Sequence, residues 1–125
     1  MKEIEELIDG MEEELKEIRR YFHSHPELSN QEFATADRIC EYLDRWGVEY
    51  ERGIAGTGIV AMVRGKKPGK TVGIRADMDA LPVEEENDVP YRSEQPGVMH
   101  ACGHDAHTAM LLRAAKVFQT MRDRL

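Results

Sequence analysis

The stretch Thr71-Val72-Gly73-Ile74-Arg75-Ala76-Asp77-Met78-Asp79 decides how this chain is read. Its first six residues form a short β-prone run, which reads as a strand with two acids at its C-terminal end. Residues two apart on a strand share a face, so Asp77 and Asp79 are placed to act together. Ligands of open α/β sheets bind outside the carboxyl ends of strands, where these acids would lie. The competing reading is a solvated acid pair bridged to Arg75.

Two further β-prone runs precede this one, Val48–Arg52 and Gly58–Arg64, parted by Gly53 and Gly56. The polar segment Gly65–Lys70 then reads as a hairpin connection into Thr71. Upstream, Ile4, Leu7, Ile8, Met11, Leu15, Ile18 and Phe22 recur three or four apart, which predicts one helix from Lys2 to His25, ended by Pro26. Ser29 or Asn30 is the expected cap of a second helix. Its stripe is Phe33, Ala36, Ile39, Cys40, Leu43 and Trp46, and Gly47 is its stop. Cys40 lies on that stripe and reads as an inert core thiol. Downstream, Leu81–Met99 reads as a long irregular connection. His104–Leu125 reads as a third helix burying Ala106, Met110, Leu111, Ala114, Ala115 and Phe118. The order α, α, β, β, β, loop, α predicts an α/β layered domain. A helix in the last position normally leads to another strand, so the chain is expected to be truncated.

Composition narrows the function classes. Lysine and arginine number 17 against 24 acids, a formal charge of −7, which argues against a general nucleic-acid binder or a ligand of acidic membranes. Hydrophobic residues make up 41% and recur periodically, so the chain reads as folded, not disordered. Cys40 and Cys102 belong to no dense framework, which suggests a reducing compartment. The N-terminus lacks the layout of a signal peptide, and no apolar run approaches the about 18 residues of a membrane span. The expected location is the cytoplasm.

The densest chemical cluster is Met99-His100-Ala101-Cys102-Gly103-His104-Asp105-Ala106-His107. Thiolate and imidazole suit zinc and related metals, and a carboxylate can complete such a site or orient a histidine from behind. Cys-x-His is not a structural zinc spacing, and two ligands do not hold a metal tightly. The alternative is a helix N-terminus with a capping Asp and incidental histidines. In His23-Ser24-His25-Pro26-Glu27-Leu28, the histidines read as structural, tying the first helix to its loop. Glu84-Glu85-Glu86 reads as a solvated acidic run rather than a catalytic pair.

Three stretches together resemble the M20 peptidase family, in particular the branch of hippurate hydrolases, N-acyl-L-amino-acid amidohydrolases and auxin-conjugate hydrolases. They are Arg19–Ser29, Gly73–Pro82 and Met99–Asp105, in matching order and spacing. The resemblance implies a layered α/β/α fold with a mixed central sheet, of which residues 1–125 form part of the catalytic domain. It implies that Cys102 and His104 are ligands of a two-metal centre holding zinc, manganese, nickel or cobalt. Asp79 matches the acid that supports the catalytic machinery, while Asp77 stands where many other branches carry a metal-binding histidine and is not assigned. His100 and His107 are not standard ligands of the pattern. The implied reaction is hydrolysis of an N-acyl amino acid or peptide amide by metal-activated water, with a glutamate as base. In the family that base belongs to a Glu-Glu pair beyond the last helix, followed by further histidine ligands and a smaller lid and dimerisation domain. None of these is among the 125 residues, so the chain by itself is expected to be inactive, weak in metal binding and prone to self-association, with a complementing C-terminal chain as its partner. Two other readings are a non-catalytic metal- or partner-binding module, and a small hydrolase using Glu84, Glu85 or Glu86 as base.

Overall fold

A computed structural model describes residues 1–125. Its elements in chain order are α1 (Lys2–Asp9), α2 (Glu12–Ser24), α3 (Phe33–Arg45), β1 (Glu49–Ile54), β2 (Gly58–Met62) and α4 (His104–Thr120), with a short 3₁₀ turn at Arg122–Arg124. The single helix expected over Lys2–His25 is therefore two. The break falls at Gly10-Met11, where Met11 N–H bonds back to Ile8 O at 2.9 Å. Glycine is the weakest helix former after proline, and the i→i−3 bond ends the helix there.

Helices α2, α3 and α4 enclose the core. Ile18 and Phe22 of α2 meet Ile39, Tyr42 and Leu43 of α3, with Val48, Ala109 and Leu112 closing the cluster. Cys40 is buried beside it as a free thiol, as the stripe predicted. Gly47 takes the left-handed conformation (φ 66°) just past α3, the stop that glycine provides without a Cβ clash. The expected cap of α3 is corrected. Ser29 and Asn30 do not cap it; Glu27 reaches across instead. Its Oε1 accepts from Thr35 N–H at 2.5 Å and from Thr35 Oγ1 at 2.7 Å, and its Oε2 from Ala34 N–H at 3.3 Å. These are free N–H groups of the helix's first turn, and a carboxylate there also favours the helix dipole.

The first two β runs pair as an antiparallel hairpin with Glu49 opposite Met62 and a register irregularity between Arg52 and Ile54. Gly58 is required at its turn, because a Cβ there would stand 2.5 Å from Ile54 O. The third expected strand is not formed, so Gly65–Lys70 makes no hairpin. No residue from Thr71 to Ala76 makes a backbone–backbone hydrogen bond, and Val72 and Ile74 are 80% and 59% exposed. Strand propensity is expressed only against a ladder partner, and no segment of this chain supplies one. The chain is thus α/β, but its sheet is a two-stranded hairpin and not the mixed central sheet expected.

The end of that segment is firmly held. Ala80 N–H bonds to Glu27 O at 2.7 Å, and Leu28 forms a parallel bridge to Ala80. Leu81 and Met99 exchange two backbone bonds at 2.9 and 3.0 Å. The Pro26-Glu27-Leu28 turn, the acids and the Met99–Gly103 loop are thereby laid side by side.

Helix α4 buries a face other than the one expected. Asp105, Thr108, Ala109, Leu112, Arg113 and Val117 face inward, while Met110 and Phe118 are exposed. The helix carries small and apolar residues on two sides, and the core took the side able to meet α2 closely through Ala109. Glu27→Ala should lower the unfolding free energy by about 1–2 kcal/mol, the usual cost of losing an N-terminal cap, read from the urea midpoint. An unmoved midpoint would mean that water replaces the carboxylate at no cost.

Candidate functional site

Gly103 (φ 84°) turns the chain from the Met99 loop into α4, and its carbonyl accepts the first helical bond, from His107 N–H at 3.0 Å. Left-handed φ is a conformation that glycine adopts at little cost. His104 follows as the first residue of the helix. Its Nδ1 lies 2.8 Å from Asp79 Oδ1 and 3.1 Å from Asp79 O. A carbonyl oxygen only accepts, so Nδ1 carries the proton and donates to both, leaving Nε2 unprotonated in the neutral ring. Cys102, two residues before, is an exposed free thiol.

The two acids do not act together as their spacing allowed. Asp79 takes His104, while Asp77 takes the exposed Arg75 (2.8 Å), whose hydrogen bond and charge hold the Asp77 carboxyl below its usual range. The carbonyl of Asp77 accepts from Thr108 Oγ1 at 3.0 Å, a second tie between the acid segment and α4.

Beneath this loop lies a cluster of buried charge. His23 Nδ1 lies 2.8 Å from Asp105 Oδ2, and its Nε2 lies 2.9 Å from Glu85 Oε2. Arg19 Nε joins the same Asp105 oxygen at 2.9 Å. His23, Glu85 and Asp105 are 3%, 3% and 1% exposed, so none can turn to water. The tie between first helix and loop expected of His23 is present, extended to α4. His25 stacks on Tyr21 and bonds Tyr21 O at 2.8 Å, also a structural arrangement.

The solvated reading of Glu84–Glu86 is corrected at its middle residue. Glu84 and Glu86 are exposed, Glu84 accepting from Gly97 N–H. Glu85 is inside. Burial would raise its pKa, but hydrogen bonds from His23, Ser93 N–H (2.5 Å) and Asn87 outweigh that and hold it at about 2. Nothing in a run of three glutamates marks the middle one for burial; the only signal was that a buried His23 would need acceptors. His100 was also underrated. It is 4% exposed with neither ring nitrogen bonded to a protein group, and burial lowers its pKa against the pull of Asp105.

A metal centre of the implied kind finds part of its donor set here. The Cys102 thiol is accessible, and His104 is held by a carboxylate on one nitrogen with the other left unprotonated, the usual arrangement behind a metal-bound histidine. No group of three or more His, Cys, Asp or Glu side chains converges to hold an ion within the chain. The residues therefore fit as two ligands, not as a complete site.

An α/β frame presents a thiol and a carboxylate-oriented imidazole at a helix start. Residues 73–125 match the family described as Peptidase family M20/M25/M40. The chain is 50% identical over 123 residues to the N-acyl-L-amino acid amidohydrolase of Geobacillus stearothermophilus, covering 98% of this chain and 33% of that one. It is 47% identical over 126 residues to thermostable carboxypeptidase 2 of Saccharolobus solfataricus, covering 94% and 32%. The crystal structure of Bacillus subtilis YxeP, a dinuclear metal-binding peptidase of the M20 family, superposes with a TM-score of 0.89 at 38% identity, covering 94% of this chain and 33% of that one. The chain spans about a third of the length of the curated relatives it matches.

The Glu85 carboxyl, free in the unfolded chain, titrates near 4.5 and in the folded chain near 2. Its stabilising contribution is therefore complete above about pH 4.5 and lost as pH falls toward 2. Urea unfolding measured from pH 6 to pH 2.5 should show a steep acid limb in the parent that is shallower in Glu85→Gln. Identical acid limbs would show that Glu85 does not carry this dependence.

Proposed function

We propose that this chain supplies Cys102 and His104 to the two-metal centre of an amidohydrolase that splits the amide bond of N-acyl amino acids, hippurate-like ones among them. The observation that carries the reading is the Asp79–His104 hydrogen bond at 2.8 Å, which fixes the ring with Nε2 free. In this reading Asp79 is a positioning acid: it sets the tautomer and raises the basicity of the imidazole. Cys102 provides a thiolate beside it. Bound divalent metal, whether zinc, manganese, nickel or cobalt, would acidify a water and polarise the substrate carbonyl. The general base and the remaining ligands come from outside these 125 residues. Support for that comes from the absence of a third converging donor and from Glu85, whose buried carboxylate with a pKa of about 2 makes a poor proton acceptor near neutrality.

The same reading makes residues 1–125 one part of a layered α/β/α catalytic domain, with the lid domain elsewhere. Its support is the unpaired Thr71–Ala76 segment together with the second apolar side of α4. Ile74, Ala76, Met110, Leu111 and Ala114 line an open groove of about 430 Å³ between them. A further strand laid along Thr71–Ala76 would cover it. A complementing chain fits there, and self-association of the isolated chain is the expected consequence of leaving it bare. The exposed, unpaired Cys102 thiol suits the reducing cytoplasm, and no helix is long and apolar enough to cross a membrane. A non-catalytic binding module would keep the metal pair and never yield turnover with any complementing chain.

Two outcomes are expected for the purified chain. Cobalt(II) should bind with a thiolate charge-transfer band that Cys102→Ala abolishes, and Asp79→Asn should weaken binding by about 10–100-fold. No N-acyl amino acid in a panel containing hippurate should be turned over until a segment carrying the missing base is added. Metal-dependent turnover by the chain alone would place the base inside it and refute the proposal. Sedimentation velocity should show association above micromolar concentrations; a monomer throughout would remove the argument from the bare edge.

A further inference from the structure

We infer that His23 is a positioning residue for the ligand pair, holding the Cys102-Gly103-His104 loop in place through Asp105; the inference rests on reading Cys102 and His104 as ligands. Asp105 follows His104 directly and sits in the first turn of α4. One of its oxygens receives both His23 Nδ1 and Arg19 Nε, two donors four residues apart on α2. The carboxylate is 1% exposed and has no solvent-facing alternative. Its backbone is thereby pinned, and the residue before it is pinned with it. His104 is then set from two sides, its ring by Asp79 and its backbone by Asp105. Glu85 completes the device by occupying the other nitrogen of His23, so that ring neither flips nor rotates out of register.

The pairing of α2 with α4 does not itself need this bond. Ile18 and Phe22 pack against Ala109 and Leu112 in the same core, one and more turns further along. Removing the His23–Asp105 bond should therefore leave the helices together and loosen the loop at their end.

The two ring nitrogens of His23 serve different partners, which gives a discriminating test. An asparagine amide nitrogen falls near the place of Nδ1, and a glutamine amide nitrogen near that of Nε2. His23→Asn retains the donor to Asp105; His23→Gln retains the donor to Glu85. The full chain would be followed by long-range ¹H–¹⁵N spectra of the metal-free His104 ring and by cobalt(II) titration, with Ile39→Val as a core control of reduced stability. The parent, His23→Asn and Ile39→Val are expected to show a single Nδ1–H tautomer at His104. His23→Gln should show mixed tautomers and a cobalt affinity lower by about tenfold or more. The inference is overturned if His23→Gln behaves like Ile39→Val, losing melting temperature alone, or if His23→Asn does no better than His23→Gln. Should both His23 variants unfold, Asp105→Ala removes the acceptor through which His23 is held to act, and an unchanged His104 tautomer there refutes the idea equally. A parent without a thiolate band would sink the ligand reading, while the tautomer comparison would still decide whether His23 places the loop.

Discussion

A histidine held between two buried carboxylates is the joint on which this molecule turns. His23 belongs to α2, Glu85 to the long connection and Asp105 to α4, and none of the three sees solvent. Burying such charges carries a desolvation cost of several kcal/mol per ion unless they are matched and hydrogen-bonded. Here the two carboxylates face the Arg19 guanidinium and a His23 ring with each nitrogen within hydrogen-bonding distance of one of them. Each of the four members has its partner within the cluster. Loss of any one would leave a charge stranded inside, which makes it a specifying feature of the fold more than a source of net stability.

A second constraint runs through Glu27. Its side chain caps the start of α3 and its carbonyl receives Ala80 N–H, one residue past Asp79. One residue therefore couples the start of a helix to the placement of the acid that orients His104. The stretch from Arg19 to Leu28 thus carries three tasks in ten residues: a charge clamp on α4, a helix cap and a backbone rail for the acid segment. That density explains why a stretch with no chemistry of its own stands so near the candidate site.

The parts legible in the sequence were those set by local periodicity or by a single residue's backbone preference. The core stripes of α2 and α3 (Phe33 apart, which is exposed), the stop at Gly47, the first two β runs and the buried Cys40 follow from spacing and from glycine's freedom at positive φ. The parts that were not legible depend on what lies across the fold. Glu27 displaced Ser29 and Asn30 as cap because a long side chain reached the helix from outside its own turn. Glu85 went inside because His23 needed a second acceptor, a condition no window of sequence contains. Thr71–Ala76 failed as a strand because pairing belongs to two segments, and α4 turned its other side inward because both sides were able to pack. At the site, the Cys102 and His104 pair was singled out by donor chemistry and by resemblance. The hydrogen bond from His104 Nδ1 to Asp79 orients that ring.

What the geometry adds is preorganisation. A thiol and an imidazole on a free loop would have to be ordered at the moment of binding, and the ordering of each rotamer-rich side chain costs on the order of 0.5–1.5 kcal/mol. His104 has already met that condition: Asp79 fixes its ring and Asp105 its backbone, both through groups buried or half-buried in the fold. The Cys102 side carries no such restraint, for its thiol is exposed and no hydrogen bond to it is formed. The half-site is therefore asymmetric, with one rigid donor and one adaptable donor joined through a left-handed Gly103. A rigid first donor fixes where an ion would sit, and a pliant second one lets the remaining ligands set the final geometry. On the proposed reading, that division suits a centre whose other ligands arrive from a different part of the protein.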